Sequence, residues 1–110
     1  MSKSFIKYTI REIEENDIES GGLLEVLDNL APVEGLTKPA AKTILKEIKS
    51  NPLHRIFVAV LQEGIDRGLM TGTTTILVEP KFIFGGGRVA HIEDVAVRLN
   101  IRGKALDSNL

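Results

Sequence analysis

Apolar and polar side chains alternate near the start of the chain, over residues 5–11. On an extended backbone this alternation places one set of residues on one face: Ile6, Tyr8 and Ile10. Phe5, Lys7 and Thr9 fall on the other face. A period of two residues is typical of a half-buried β-strand. The first predicted element is therefore a strand.

The next stretch changes to helical spacing. Asn16 or Asp17 can cap a helix, and the Gly21-Gly22 pair weakens its first turn by about 1 kcal/mol per glycine relative to alanine. Ala31-Pro32 ends the run. Between these signals lies an apolar stripe at helical spacing, formed by Leu23, Leu24, Leu27 and Leu30. This stretch predicts the first helix.

A second helix is marked at both ends. Thr37 is a plausible N-cap, and Pro39 lies in the first turn, where its missing N–H costs little. Asn51-Pro52 stops the helix. Apolar residues recur at i, i+3, i+4 and i+7: Ala41, Ile44, Leu45 and Ile48. The remaining positions carry several lysines, which we interpret as a solvated face.

Three strands are predicted in the second half of the chain. The apolar run over residues 56–61 predicts a strand covered on both faces, and the threonine-rich residues 69–78 predict its antiparallel hairpin partner. Pro80 limits the end of that partner. Gly85-Gly86-Gly87 predicts a flexible hairpin tip, and residues 89–97 form a further strand.

The predicted order is β-α-α-β-β-β, followed by a turn and an incipient helix. We expect a single α+β domain over residues 1–110, with a mixed, mostly antiparallel sheet flanked by helices.

The net charge of −1 argues against nucleic-acid binding. The absence of cysteine excludes disulfides and thiol nucleophiles. No metal site is expected, because His54 and His91 lack ligand spacing. No apolar run reaches the roughly 20 residues of a membrane span and no secretory signal is evident, so a cytosolic location is expected.

Two acidic residues interrupt an otherwise apolar predicted strand. Glu93 and Asp94 point to opposite faces of a flat strand, so they cannot form one carboxylate pair there. Either could hold an amine, a sugar hydroxyl or a cation. The alternative is that one points to solvent and the other pairs with Arg88 or Lys81.

The stretch after that strand is a candidate phosphate-binding site. Arg102, Gly103 and Lys104 follow the strand and precede the predicted helix, whose N-terminal N–H groups could grip a pyrophosphate. The alternative is a solvated turn. Gly85-Gly86-Gly87 could also cradle a phosphate, but a hairpin tip is the favoured interpretation.

Taken together, these residues resemble a known superfamily. The supporting stretches are "YTIREIEENDIE", "EPKFIFGGGRVAHIEDVAV" and "RGKALDSNL". The order of elements, with His-Ile-Glu-Asp-Val-Ala-Val followed by Arg-Gly-Lys, resembles the GNAT acetyltransferases and, among them, the glucosamine 6-phosphate N-acetyltransferases. The resemblance spans nearly the whole chain but corresponds to the N-terminal part of the family domain, which implies a GNAT fold truncated at the C-terminus.

The resemblance implies acetyl transfer from acetyl-CoA to the amine of glucosamine 6-phosphate by a homodimer. It implies that Glu93 and Asp94 are the acidic pair at the amino sugar, with Asp28 and Val95 nearby. It also implies a segment lining the sugar-phosphate site, made of Lys81, Phe82, Ile83 and Phe84. On the donor side it implies backbone contacts with the pantetheine arm from Val95, Ala96 and Val97. The implied pyrophosphate loop is Arg102, Gly103, Lys104, Ala105, Leu106, Asp107 and Ser108.

Two departures argue against turnover by these 110 residues alone. Ala105 and Asp107 stand where the family has glycines, and the charge of Asp107 would oppose a pyrophosphate. The family domain also continues beyond this helix, and Tyr8 does not match the tyrosine that protonates the leaving thiolate. The alternatives are therefore a non-catalytic GNAT-like interaction or dimerisation module, and a GNAT acetyltransferase with another amine substrate.

Overall fold

The computed structural model describes residues 7–20 and 22–98, and the backbone of residues 100–101 and 104–105. Its main sheet is antiparallel, with strand order β1-β2-β3-β4. The elements in chain order are β1 (Tyr8–Glu12), α1 (Asn16–Glu19), α2 (Leu23–Asp28), α3 (Lys38–Lys49), β2 (His54–Leu61), β3 (Met70–Pro80), α4 (Ile83–Gly86), β4 (Arg88–Val97), β5 (Asn100–Ile101) and β6 (Lys104–Ala105). The predicted α+β class, with a mostly antiparallel sheet flanked by helices, is confirmed.

Helix α3 begins where its sequence predicts. The Oγ1 atom of Thr37 accepts a hydrogen bond from the amide of Ala40 at 3.2 Å, which satisfies one of the free N–H groups of the first turn. Pro39 lies within that turn. The apolar stripe buries Ala41 and Leu45 against the core, whereas Ile44 stays exposed.

The first predicted helix is wrong as a single element, because it divides into α1 and α2. Gly22 has a φ of +85°, in the left-handed region, and it immediately precedes α2. A left-handed residue cannot continue a right-handed helix, so the chain turns at this point. Asn16 and Asp17 lie inside α1 rather than capping it, and Leu30 lies beyond α2 and is exposed.

The core lies between the three helices and one face of the sheet, here called the helix-covered face. Val58 of β2 and Ala96 of β4 are buried on this face, and Met70 at the start of β3 is fully buried beside them. Helix α2 contributes Leu23 and the fully buried Val26. These contacts hold α2 against β3 and β4.

The opposite face of the sheet, here called the open face, is apolar but uncovered. Tyr8 and Ile10, which share one side of β1 as the alternation predicts, are 55% and 64% exposed on this face. Phe57 and Ala59 are only half-buried, so the prediction that β2 is covered on both faces is wrong. The open face forms a shallow groove of about 280 Å³, lined by Tyr8, Ile10, Phe57, Ala59, Gly72, Thr74, Val95 and Val97 among others.

After β4 the backbone forms a second, two-stranded sheet. Asn100 pairs with Ala105 and Ile101 with Lys104, in antiparallel register. A helix opening is therefore not present at residues 104–105, contrary to the prediction. Arg102, Gly103, Leu106, Asp107 and Ser108 of the predicted loop lie outside the described residues.

Candidate active site

Strand β4 carries one extra residue at its centre. Thr73 pairs with Ala96, but Thr75 pairs with Glu93, so two residues of β4 lie opposite Thr74. One of the two is Asp94, which has a φ of +49°. This is a β-bulge with a left-handed residue, a feature that bends a strand and redirects its side chains. The expectation that the acidic residues alternate as on a flat strand is therefore wrong.

The bulge presents two acidic side chains to solvent. Glu93 and Asp94 are both exposed, and neither carboxylate is among the hydrogen bonds or ion pairs of the described residues. The alternative that one of them points to solvent and the other pairs with Arg88 or Lys81 is wrong in its second part. Among the described residues neither cation pairs with Glu93 or Asp94, and the Nζ atom of Lys81 lies 3.0 Å from Oε1 of Glu79. The carboxylates of Glu93 and Asp94 are therefore open to a ligand that carries an amine or hydroxyl groups.

Glu79 is the acceptor of a small cluster near the end of the β3–β4 hairpin. Its Oε1 atom lies 3.0 Å from Nε2 of His91 as well as 3.0 Å from the Lys81 ammonium. The hydrogen bonds from His91 and then Lys81 hold the pKa of Glu79 below its usual value. By register, Glu79, His91 and Glu93 share one face of the hairpin. An ion-paired cluster of Glu79, Lys81 and His91 thus lies near Glu93, which is two residues along β4 from His91.

The outer edge of β4 offers unpaired backbone groups. The amide of Arg98 donates to the Thr71 carbonyl at 2.8 Å. Because backbone groups in an antiparallel ladder alternate in direction, those of Ala96 also face β3 and those of Val97 face outward. Val95 precedes them on the same edge, within the bulge. Within the described residues no strand pairs with β4 on that side. This edge can bind an extended, amide-containing chain.

The β3–β4 connection is a strongly apolar tip. Phe82 is fully exposed, at 104% of the reference area, and Ile83 and Phe84 are also exposed. Phe84 has a φ of +57°, a left-handed conformation uncommon for an aromatic residue. The amide of Lys81 donates to the Gly87 carbonyl at 2.8 Å and closes the tip. The predicted hairpin tip at the three glycines is present.

Asp28 has a local structural contact. Its Oδ1 atom accepts a hydrogen bond from the amide of Val33 at 3.1 Å, which closes the turn after α2. The carboxylate is exposed at the C-terminal end of that helix. No contact in the described structure joins Asp28 to Glu93 or Asp94.

Two residues of this region were not predicted from the sequence. The sequence gives no partner for His91, and its contact with Glu79 follows from the β3–β4 register. Arg98 follows an apolar strand and carries no motif, yet it donates from Nε to the Met70 carbonyl at 2.8 Å. The hairpin register could have revealed the first contact, but no sequence signal indicates the second.

Among the described residues, no group of three or more His, Cys, Asp or Glu residues is placed to hold a metal ion. None of the described helices is long and apolar enough to cross a membrane.

Comparison with solved structures shows which class of proteins shares this fold. No family model matches the chain. The crystal structure of glucosamine-6-phosphate N-acetyltransferase from Arabidopsis thaliana superposes with a TM-score of 0.76 and 32% identity, covering 91% of this chain and 66% of that one. An acetyltransferase from Trypanosoma brucei superposes with a TM-score of 0.65 and 26% identity, covering 83% and 60%. The fold is that of the GNAT acetyltransferases.

Sequence comparison identifies similar proteins of one activity within this class. Glucosamine 6-phosphate N-acetyltransferase 1 from Oryza sativa subsp. japonica is 38% identical over 90% of this chain, which spans 58% of that protein. The Arabidopsis thaliana enzyme is 29% identical over 90% of the chain, which spans 64% of it. The chain is thus similar to glucosamine 6-phosphate N-acetyltransferases and spans about three fifths of their length.

Proposed function

We propose that this chain takes part in the transfer of an acetyl group from acetyl-CoA to the amine of glucosamine 6-phosphate. One observation carries the proposal: the β4 bulge exposes Glu93 and Asp94 on the strand whose outer edge, at Val95 and Val97, pairs with no other strand among the described residues. An amine site and an extended-chain site therefore adjoin at the bulge. The names of the relatives supply the two substrates.

On the donor side, the free edge of β4 fits the pantetheine arm of acetyl-CoA. That arm is an extended chain with two amides, and the backbone groups of Val95 and Val97 on this edge are proposed to pair with it as a neighbouring strand would. Ala96 faces β3 and is buried, so it supports the edge rather than contacting the ligand through its backbone. The pyrophosphate is proposed to lie at the loop of Arg102, Gly103, Lys104, Ala105, Leu106, Asp107 and Ser108.

On the acceptor side, the acidic pair orients the amine. Carboxylates attract an ammonium and hydrogen-bond sugar hydroxyls, and a carboxylate can accept the proton that the amine must lose, directly or through water. The amine nitrogen then attacks the thioester carbonyl carbon, the C–N bond forms and the C–S bond breaks. The reaction needs no covalent nucleophile, because positioning and carbonyl polarisation lower the barrier.

The sugar phosphate is proposed to lie toward the β3–β4 tip. Lys81 supplies a cation there, and Phe82, Ile83 and Phe84 supply exposed apolar surface for the sugar ring. Asp28, the last residue of α2, is also proposed to contact the sugar. Its hydrogen bond to Val33 leaves further acceptor capacity on the carboxylate for a sugar hydroxyl.

Isothermal titration calorimetry with acetyl-CoA and with glucosamine 6-phosphate tests the proposal. Glu93→Gln and Asp94→Asn should each weaken glucosamine 6-phosphate binding about tenfold, which corresponds to about 1.4 kcal/mol, and leave acetyl-CoA binding within about twofold. Glu63→Gln, a change at an exposed acid in the β2–β3 turn, is the matched control. A folded wild-type chain that binds neither ligand would overturn the proposal.

The pyrophosphate loop has its own test. The double variant Ala105→Gly/Asp107→Gly should bind acetyl-CoA at least about fivefold more tightly, because it removes a like charge worth roughly 1 kcal/mol from the anion site. Glu34→Gln, at an exposed acid in the turn before α3, should change nothing. Unchanged affinity in the double variant contradicts the placement of the loop.

A second candidate function follows from the open face of the sheet. An apolar groove beside an unpaired strand edge is the geometry by which sheets recruit another chain, so a GNAT-like interaction or dimerisation module is the alternative. Sedimentation velocity distinguishes the interaction module from the enzyme: a strictly monomeric chain that binds both ligands favours the enzyme.

The other alternative is a GNAT acetyltransferase with a different amine substrate. Competition between glucosamine 6-phosphate and other amines in an acetylation assay tests it. A single domain over residues 1–110, a homodimer and a cytosolic location stay predictions.

A further inference from the structure

Arg98 lies one residue beyond the end of β4 and is unusually buried for a charged side chain, at 15% exposed. Its backbone amide donates to the Thr71 carbonyl at 2.8 Å and extends the β3–β4 ladder by one residue. The origin of the side chain is therefore fixed to the sheet. Arginine is almost never buried unless its donors are used.

The guanidinium joins three elements. Its Nε atom donates to the carbonyl of Met70 at the start of β3, at 2.8 Å, and Nη1 donates to Oε2 of Glu25 in α2, at 3.0 Å. Met70 is fully buried in the core. The contact therefore links α2 to the sheet through a rigid, planar group whose donor directions are fixed.

The start of α2 packs directly on the same group. Gly22 precedes α2 with a φ of +85°, and a Cβ atom added to it would lie 2.9 Å from Nη2 of Arg98. This Nη2 atom is buried and has no hydrogen-bond partner among the described residues. Leaving a buried donor unpaired is costly. Only a residue without a Cβ atom fits at position 22 while the guanidinium stays in this place.

We propose, on the basis of the proposed function, that Arg98 is a positioning residue. The set of Arg98, Met70, Glu25 and Gly22, here called the Arg98 bridge, holds α2 against the end of β4. Val97, immediately before Arg98, belongs to the proposed acetyl-CoA edge, and α2 ends at Asp28, on the proposed amino-sugar side. The bridge thus sets the position of the acceptor side relative to the donor side.

A positioning role predicts coupling between the two ligands. If one ligand stabilises the arrangement that the other requires, each raises the affinity of the other by the same factor. In the wild-type chain, saturating acetyl-CoA should raise the affinity for glucosamine 6-phosphate at least about fivefold, at the lower end of common coupling factors. Arg98→Ala should abolish the enhancement while acetyl-CoA affinity alone stays within about twofold.

Calorimetry with each ligand in the absence and presence of the other, on the full chain, measures this coupling. Arg98→Lys keeps the charge but not the fork of donors, so it should restore only part of the coupling, and Glu25→Gln should lower it. Arg55→Ala is the matched control, because Arg55 makes a 2.6 Å ion pair with Glu12 on the exposed edge of the sheet. Coupling that survives in Arg98→Ala overturns the proposal.

Hydrogen exchange tests, without any ligand, whether the Arg98 bridge holds α2 in place. In Arg98→Ala, the protected amides of α2 should exchange at least about tenfold faster, while those of α3 stay unchanged, because the bridge contacts α2 and not α3. Equal acceleration in both helices, or in neither, overturns the proposal. If the wild-type chain binds neither ligand, the proposed function fails, and selective exchange in α2 still supports the bridge as the contact that positions this helix.

Discussion

Asp17 accepts two hydrogen bonds from the guanidinium of Arg11, each 2.8 Å long, in a two-pronged ion pair between β1 and α1. Asp17 is only 3% exposed. The amide of Glu14 also donates to Oδ2 of Asp17, at 2.7 Å. The carboxylate therefore closes the β1–α1 turn and ties it to the edge strand. A bidentate pair of this kind fixes orientation as well as charge.

Replacing this carboxylate should destabilise the fold. Asp17→Asn removes the charge that balances Arg11 and leaves its donors incompletely paired, so we expect the free energy of unfolding to fall by about 3 kcal/mol. Urea denaturation followed by circular dichroism measures it. Glu63→Gln is the control, because the Lys7–Glu63 pair is exposed and 3.9 Å long. That variant should stay within about 0.5 kcal/mol. Equal losses in the two variants would contradict a special role for Asp17.

The ion pair between Arg11 and Asp17 should make the free energy of unfolding depend on pH. Burial raises the pKa of Asp17, but the hydrogen bonds from Arg11 and the Glu14 amide more than offset it, so the net pKa lies below its usual value. A lowered pKa in the folded state stabilises the fold above the unfolded pKa of about 3.9, and this contribution is lost as the pH falls through the folded pKa. The difference in unfolding free energy between wild type and Asp17→Asn should therefore be constant from about pH 5 to 7 and shrink below about pH 4.

Urea titrations of both proteins across this range test the pH prediction. Glu19 and Glu79 also have lowered pKa values, from hydrogen bonds with Lys42 and with His91 respectively. Both are exposed, and their contributions are common to the two proteins and cancel in the difference. A difference that grows as the solution is acidified would contradict the assignment to Asp17.

Much of the fold follows from local sequence signals. The cap and stripe of α3 set its bounds, and the apolar and threonine-rich runs predict the β2–β3 hairpin. The break between α1 and α2 does not follow from propensity alone, because a glycine pair lowers helix stability without fixing where the backbone becomes left-handed. Alternation also does not say which side of β1 is buried: Arg11 lies opposite Val58 on the helix-covered face and pairs with Asp17, whereas the apolar Tyr8 and Ile10 are exposed on the open face.

The site was less predictable than the fold. The sequence marks Glu93 and Asp94 as unusual, and the resemblance assigns them a role, but alternation alone places them on opposite faces. The bulge depends on the register with Thr73 and Thr75, a non-local relationship that no short motif encodes. Arg98 was missed for the same reason, since its contacts lie in α2 and at the start of β3.

The bulge predicts that the same substitution has different effects on stability at Asp94 and at Glu93. Asp94 has a φ of +49°, which aspartate tolerates but a β-branched residue does not. Asp94→Val should therefore cost about 1–2 kcal/mol of stability. Glu93→Val, at an exposed position without a positive φ, should cost less than about 0.5 kcal/mol. Thermal unfolding monitored by circular dichroism gives the comparison. Equal losses would mean that the left-handed backbone is not retained in solution.

The contrast between the two faces of the sheet gives the last prediction. Met70 is fully buried beneath α2, whereas Ile92 of β4 is exposed. Met70→Ala should lower the free energy of unfolding by about 2–5 kcal/mol, because the vacated volume cannot be refilled by its packed neighbours. Ile92→Thr removes apolar surface that already contacts water, so it should change stability by less than about 0.5 kcal/mol. Urea denaturation of both variants measures these changes, and a loss above about 2 kcal/mol for Ile92→Thr would show that this position on β4 is covered in solution.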